Sequence, residues 1–437
     1  MLYNYLTPRR NYVFATSALE PFIKLWLRWR MLKGKEDKAR FGERFGIASQ
    51  KRPSGMLIWF HAASVGEANS VLLLIHKIQA AYPEYKILLT TGTVTSARLM
   101  KKRLPQDVIH QYVPIDTPKA THAFLYHWKP DIAFWVESEL WPNMIYTARE
   151  TGCFMSLINA RMSRKSYVSW KRYPLMIKEL LGSFDNIFAQ SDVDAIRLQG
   201  LSRREVLCYG NLKYDAALLP CNENNLAVLQ KAIGSRPVWL AASTHEGEEE
   251  MIARAHSILA IRRPNLLTII VPRHPQRGDE IVAMLKKKYQ VAQRSRKQPI
   301  AAHNQFYVAD TIGELGLFFR LSEIVFMGGS LVPHGGQNPL EPARLSCALI
   351  TGPHTMNFFD IYRDMEDVKA VLRATGPENL AAHVDNLLNN ADIRDAAQTA
   401  SKGWIEYNSG AITHLMKELE PVFRPKQVKQ ESLEIMK

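Results

Sequence analysis

Three carboxylates stand where this sequence changes from strand-like to helix-like patterning, the place where open α/β proteins do chemistry. Ser64-Val65-Gly66-Glu67 follows the apolar run Met56 to Phe60 and precedes the helical pattern Val71 to Ile78. The Ser-x-x-Glu spacing fits a capping box, in which the serine takes a helical N–H and the glutamate reaches back to the cap. Gly66 adds another reading, because a residue without a Cβ lets a ligand approach the positive helix end. Glu67 is thus either a cap or a carboxylate aimed at a substrate. Glu137 and Glu139 sit in Trp135-Val136-Glu137-Ser138-Glu139-Leu140-Trp141-Pro142, among large apolar residues where an unpartnered carboxylate is costly. They share a face if the strand continues and part if a helix begins. Lys213, in Gly210-Asn211-Leu212-Lys213-Tyr214-Asp215, lies beyond another apolar run, where an ammonium can meet bound charge, although a lone lysine is most often a surface residue.

The second half repeats the theme with groups suited to a nucleotide. Pro272-Arg273-His274-Pro275 follows the run Leu266 to Val271, and an arginine between rigid prolines either reaches phosphate or base or lies in an ordinary surface loop. Thr311-Ile312-Gly313-Glu314 follows the run ending at Val308, with N–H groups that suit a phosphate. Farther on, the glycines of Gly328-Gly329-Ser330 and Gly335-Gly336 suit a loop passing close to a ligand. Asn338, Pro339 and Glu341 then read as the cap, first and third positions of a helix. At such a helix mouth Glu341 is also placed to accept both hydroxyls of a ribose. Asp192-Val193-Asp194 imitates a metal site, but Ser191 makes it a better helix start. No dinucleotide fingerprint, Walker loop, hydrolase elbow or zinc spacing occurs.

Alternating elements must hold these groups. Apolar runs at Met56 to Phe60, Lys86 to Thr90, Ile132 to Val136, Phe154 to Asn159, Asn186 to Ala189 and Val206 to Tyr209 alternate with helical patterns. That rhythm predicts βαβ units and a parallel sheet. It breaks over Leu218 to Pro237 and resumes with Val238 to Ala242, Leu266 to Val271, Gln305 to Val308, Ile324 to Met327 and Ala348 to Thr351. A closing helical stretch from Asn379 to about Leu419 packs on one domain or the other. The organisation expected is a basic amphipathic arm over 1–50, a Rossmann-like domain over 51–217 and a linker over 218–236. A second Rossmann-like domain over 237–400 and a helix with tail over 401–437 complete it. Two such halves enclose a cleft lined by the carboxyl ends of both sheets.

Charge separates the possible partners. The net charge of +14 is crowded at the amino end, where Lys24, Arg28, Arg30, Lys33 and Lys35 alternate with Phe22, Leu25, Trp26 and Trp29. Tryptophans interleaved with cations suit an anionic bilayer surface better than a nucleic-acid groove. Glu20, Pro21 and Lys24 interrupt the segment, whereas a spanning helix needs about 20 mostly apolar residues. The four cysteines are scattered without a Cys-x-x-Cys pair, which fits a reducing compartment.

In order, Ser64 to Glu67, Glu137 to Asn143, Asn159 to Arg161, Gly210 to Asp215, Ser243 to Glu248, Pro272 to Pro275 and Gly335 to Glu341 resemble the motifs of the bacterial Kdo (3-deoxy-D-manno-octulosonic acid) transferases. The resemblance implies a GT-B, α/β fold and a metal- and cofactor-free inverting glycosyltransferase of lipopolysaccharide synthesis. It implies CMP-Kdo as donor and the lipid A precursor lipid IVA as acceptor, at the cytoplasmic face of the inner membrane. Carried over by motif, Glu67 is the general base, and Glu137 and Lys213 act on the transition state. CMP contacts fall on Pro272, Arg273, Ile312, Gly313, Glu314, Asn338, Pro339, Leu340 and Glu341. Two departures stand out: the amino-terminal arm is less continuously apolar than in many relatives, and Ser138 occupies a position where threonine is common. The alternatives are a soluble GT-B enzyme acting on a UDP-sugar and a basic nucleic-acid-binding protein. If Glu67 is the base, its carboxylate is expected to turn away from its own cap and toward the cleft.

Overall fold

The computed structural model describes residues 8–215 and 218–424, which divide into two compact units, Met1–Ala216 with Ser409–Lys437, and Ala217–Asn408. In the first unit seven strands, β1 Leu57–His61, β2 Lys86–Thr91, β3 Val108–Tyr112, β4 Ile132–Val136, β5 Phe154–Ala160, β6 Asn186–Ala189 and β7 Leu207–Cys208, form one sheet. Its order is β3-β2-β1-β4-β5-β6-β7 and every pairing is parallel. Every residue of β1 and β4 is buried, which explains why both read as unbroken apolar runs: helices cover both faces. The chain runs from β1 outward to β3 and then returns to lay β4 on the opposite side of β1. That reversal makes the carboxyl ends of β1 and β4 the natural ligand position of the sheet.

The second unit repeats the plan with β8 Val238–Thr244, β9 Leu267–Pro272, β10 Val291–Gln293, β11 Phe306–Val308, β12 Ile324–Met327, β13 Ala348–Thr351 and β14 Val371–Arg373. Its order, β10-β11-β9-β8-β12-β13-β14, is again wholly parallel and reverses at β8. The two Rossmann-like units are the GT-B class that the sequence predicts. Sequence periodicity predicts the strands inside each sheet but not β3, β10 or β14.

The closing helical stretch is three helices rather than one, and the first of them is Pro377–Asn389. Helix Ala391–Asn408 ends the second unit, Gly410 turns the chain at φ 106°, and helix Ala411–Phe423 belongs to the first. Ile412, Leu415, Leu419 and Phe423 are buried in one cluster with Val71, Leu74 and Ile75 of helix Val65–Ala81. Asp215 holds the return, accepting the N–H groups of Gly410 and Ile412, each at 2.5 Å.

At the amino end, helix Pro8–Leu32 continues through Pro21. Tyr12 donates its hydroxyl to Asp116 at 2.9 Å and Asn143 donates to the Thr16 hydroxyl at 3.0 Å, which seats the helix on the first unit. Its other side leaves Phe14, Phe22, Leu25, Trp26 and Trp29 exposed. No described helix is long and apolar enough to cross a membrane.

Candidate active site

In the first unit the loops after β1 and β4, with the segment after β7, bring Glu67, Glu137, Glu139 and Lys213 together at the sheet's reversal point. Glu67 opens helix Val65–Ala81 and is 8% exposed. Its carboxylate is tied into its own cap, contrary to the expectation that it turns away. Oε2 accepts the Ala63 N–H at 2.8 Å, Oε1 accepts the Ser64 hydroxyl at 2.6 Å, and the Glu67 N–H donates to Ser64 Oγ at 3.3 Å. The full capping box forms because it pairs donors that would otherwise be lost at a buried helix start. Burial pushes the Glu67 pKa up, the Ser64 hydrogen bond opposes this, and the charges of Glu139 and Glu137 push it further up.

The strand β4 stops at Val136, and Glu137 takes a left-handed backbone at φ 61°. A non-glycine residue there is strained, and such strain gathers at functional sites. The bend sends Glu137 to Lys213, whose Nζ donates to Oε1 at 2.6 Å, and leaves Glu139 to accept the Trp141 indole N–H at 2.6 Å. Burial, together with the Glu137 charge, raises the Glu139 pKa, while the Trp141 bond lowers it. Asn159 accepts the Leu212 N–H at 3.0 Å and Asn211 accepts that of Lys213 at 3.0 Å, so the lysine stem is fixed from β5 and from within its own turn. Ser191, by contrast, accepts the Asp194 N–H at 3.2 Å and Asp194 accepts that of Met162, the helix start that the sequence predicts. No group of three or more histidine, cysteine, aspartate or glutamate side chains among the described residues is arranged to hold a metal ion.

In the second unit, all nine residues predicted for CMP lie at or beyond the carboxyl ends of strands. Pro272 closes β9, Arg273 beyond it is exposed, and the Arg273 N–H donates to Thr244 at 2.9 Å. Ile312 is 79% exposed and Gly313 has φ 89°, while Glu314 is engaged by the Arg294 guanidinium and the Thr311 hydroxyl. The Arg294 fork holds the Glu314 pKa below the ordinary carboxylate range. Its side chain therefore braces the 311–314 turn. Asn338 accepts the Leu340 N–H at 3.1 Å, ahead of the short helix Leu340–Ala343 that carries Glu341 in its first turn.

The reversal point of this second sheet holds groups that the sequence reading left without a role. Glu248, fully buried in the first turn of helix Glu248–Ala260, accepts four backbone N–H groups: Gly329 at 2.6 Å and Ser330, Leu331 and His245 each at 2.9 Å. One carboxylate thus shapes the glycine loop after β12. The loop also needs Gly328, since a Cβ there would stand 2.5 Å from the Ser243 carbonyl. His245 accepts from the Gln337 amide at 3.0 Å and stacks on His334, with ring centroids 4.3 Å apart. Burial, then the neighbouring His334, His274, Arg273 and Arg277, bring the His245 pKa down to about 4. The signal was the run Ser243 to Glu248 itself, which ends one strand and starts the next helix.

Residues 39–216 match the family described as 3-deoxy-D-manno-octulosonic-acid transferase (kdotransferase). A probable mitochondrial 3-deoxy-D-manno-octulosonic acid transferase of Arabidopsis thaliana is 38% identical over 431 residues, 95% of this chain and 96% of the relative. The chain belongs to this family. The Haemophilus influenzae 3-deoxy-D-manno-octulosonic acid transferase is 35% identical over 424 residues, covering 93% of this chain and 98% of that one. As a family member the chain is a glycosyltransferase. Among solved structures, the UDP-GlcNAc 2-epimerase of Neisseria meningitidis shares the fold, with a TM-score of 0.57 and 15% identity over 84% of this chain and all of that one (100%).

Proposed function

We propose that this enzyme transfers Kdo from CMP-Kdo to the lipid A precursor lipid IVA, in one inverting displacement at the cytoplasmic face of the inner membrane. The observation that carries the reading is the meeting of Glu67, Glu137 and Lys213 at the reversal point of the first sheet, in a chain of this family. Glu67 takes the proton of an acceptor sugar hydroxyl while that oxygen attacks the anomeric carbon of Kdo, and the bond from that carbon to the CMP phosphate breaks. Its cap does not exclude this role, because each carboxylate oxygen has more than one acceptor position, and Ala63 and Ser64 hold the group still. Burial and like charge raise its proton affinity, which suits a base. Lys213, held by Glu137, counters the charge that develops on the leaving phosphate.

CMP is assigned to Pro272 and Arg273, to the 312–314 turn and to Asn338, Pro339, Leu340 and Glu341. The exposed aromatics and cations of helix Pro8–Leu32 set the enzyme on an anionic bilayer surface. Incubation with CMP-Kdo and lipid IVA, followed by mass spectrometry of the lipid, is expected to show the mass of Kdo added. An unmodified lipid beside hydrolysed or intact donor would refute the acceptor, and transfer from a UDP-sugar instead would refute the donor.

A further inference from the structure

A second basic surface lies on the first unit, in a stretch to which the function above gives no part. Residues 161–178 carry six cations, Arg161, Arg164, Lys165, Lys171, Arg172 and Lys178, and no acid. All six are exposed: Arg161 precedes the short helix Arg164–Trp170, which carries Arg164 and Lys165, Lys171 and Arg172 lie in the tight turn after it, and Lys178 is on helix Pro174–Gly182. The same turn exposes Tyr173 at 61% and Leu175 at 71%. Cations alternating with exposed apolar side chains fit a ligand that is anionic and greasy at once.

Beside this turn opens a cavity of about 320 Å³, whose walls include Tyr12, Glu139, Leu140, Trp141, Trp170 and Met176. Its volume falls within the range of small-ligand sites, roughly 300–1,000 Å³. Each wall comes from a different part of the unit. Tyr12 belongs to helix Pro8–Leu32, Trp170 and Met176 to the basic turn, and Glu139 to Trp141 to the loop that also carries Glu137. The walls are mostly aromatic and aliphatic, with Ser138 and Glu139 as the polar residues, and Glu139 is bonded to the Trp141 indole.

We infer that this cavity takes an acyl chain of the acceptor, with the acceptor's phosphate resting on the basic turn at Lys171 and Arg172. The inference rests on the reading that the acceptor is a phosphorylated glycolipid. It commits to the acceptor rather than to bulk phospholipid because the cavity wall is the very loop that bears the Glu137 carboxylate. A chain held there brings its own headgroup to the carboxylates, whereas a bilayer phospholipid needs no such route.

The test is equilibrium binding to the full-length protein in detergent micelles, which does not depend on turnover. The probes are lipid IVA, its fully deacylated bisphosphorylated disaccharide, and phosphatidylglycerol. Wild-type protein is expected to prefer lipid IVA over the deacylated sugar by about tenfold or more. Trp170→Ala is expected to abolish that preference, and Leu140→Ser, on another wall, reads the same quantity should the first variant fold poorly. Lys171→Ser with Arg172→Ser, at exposed positions, is expected to weaken both phosphorylated probes by about tenfold. Retention of the acyl preference in a folded wall variant would overturn the inference. So would a double variant that loses phosphatidylglycerol but keeps lipid IVA. If wild-type protein binds lipid IVA with this pattern but transfers no Kdo to it, the proposed reaction fails while the acyl site stands.

Discussion

At the scale of residues, the decisive feature is a carboxylate that caps its own helix and that we propose as the base. Glu67→Gln keeps the shape but cannot accept a proton, and turnover is expected to fall by about 10²- to 10⁴-fold with CMP binding retained. Steady-state assays paired with CMP titration check this. Because the Glu67 pKa is raised and the base works ionised, the acidic limb of kcat/KM should lie above the ordinary carboxylate range. Glu139→Gln removes a negative neighbour that helps to raise it, so the same limb should move to lower pH. An unmoved limb would show that another group titrates. Lys213→Ala strips Glu137 of its ammonium partner, and a fall of about 10²-fold or more in kcat is expected, with little change in the KM for the acceptor. The sequence made Glu67, Glu137 and Lys213 legible as chemistry, since their motifs stand at strand ends. It did not reveal that Glu67 stays in its cap, because that depends on where the Ala63 N–H and the Ser64 hydroxyl fall in space.

At the scale of elements, the central strands were readable, and of the four edge strands only β7 was. β1 and β4 are covered on both faces and so are apolar at every position, or nearly so, whereas β3, Val-Ile-His-Gln-Tyr, lies at an edge and mixes polar with apolar residues. β10 and β14 are three-residue edge strands, too short for any period to show. The nest around Glu248 was hidden for another reason, since it joins residues some eighty positions apart. Glu248→Ala would leave four buried or partly buried N–H groups without that acceptor, and a loss of at least about 3 kcal/mol is expected. Chemical denaturation of the whole protein measures it. Helix Pro8–Leu32 makes its own prediction. Trp26→Ser with Trp29→Ser should weaken flotation with anionic liposomes while leaving the melting temperature close to wild type, since both indoles are about half exposed.

At the scale of the whole molecule, the chain makes the first unit from two separated stretches. Deleting the residues after Asn408 leaves every proposed catalytic and CMP-contacting residue in place, yet it removes Ile412, Leu415, Leu419 and Phe423 from the core behind Glu67. Loss of these side chains, with each buried leucine, isoleucine or phenylalanine typically worth about 2–5 kcal/mol, is expected to unfold the first unit. Limited proteolysis of the truncated protein should then leave a fragment near residues 217–408, the unit that is continuous in sequence. The alternation of strands and helices marked the existence of both units, but not which of them the last helix joins, because an apolar helical face carries no address.

The split has a consequence for birth on the ribosome. The second unit is a single unbroken stretch and can fold as soon as it has left the exit tunnel, whereas the first cannot complete its core until residue 423 has been made. Synthesis order and completion order are therefore reversed: the half proposed to hold the base emerges first and matures last, so the helix that carries Glu67 gains its full packing only at the end of translation.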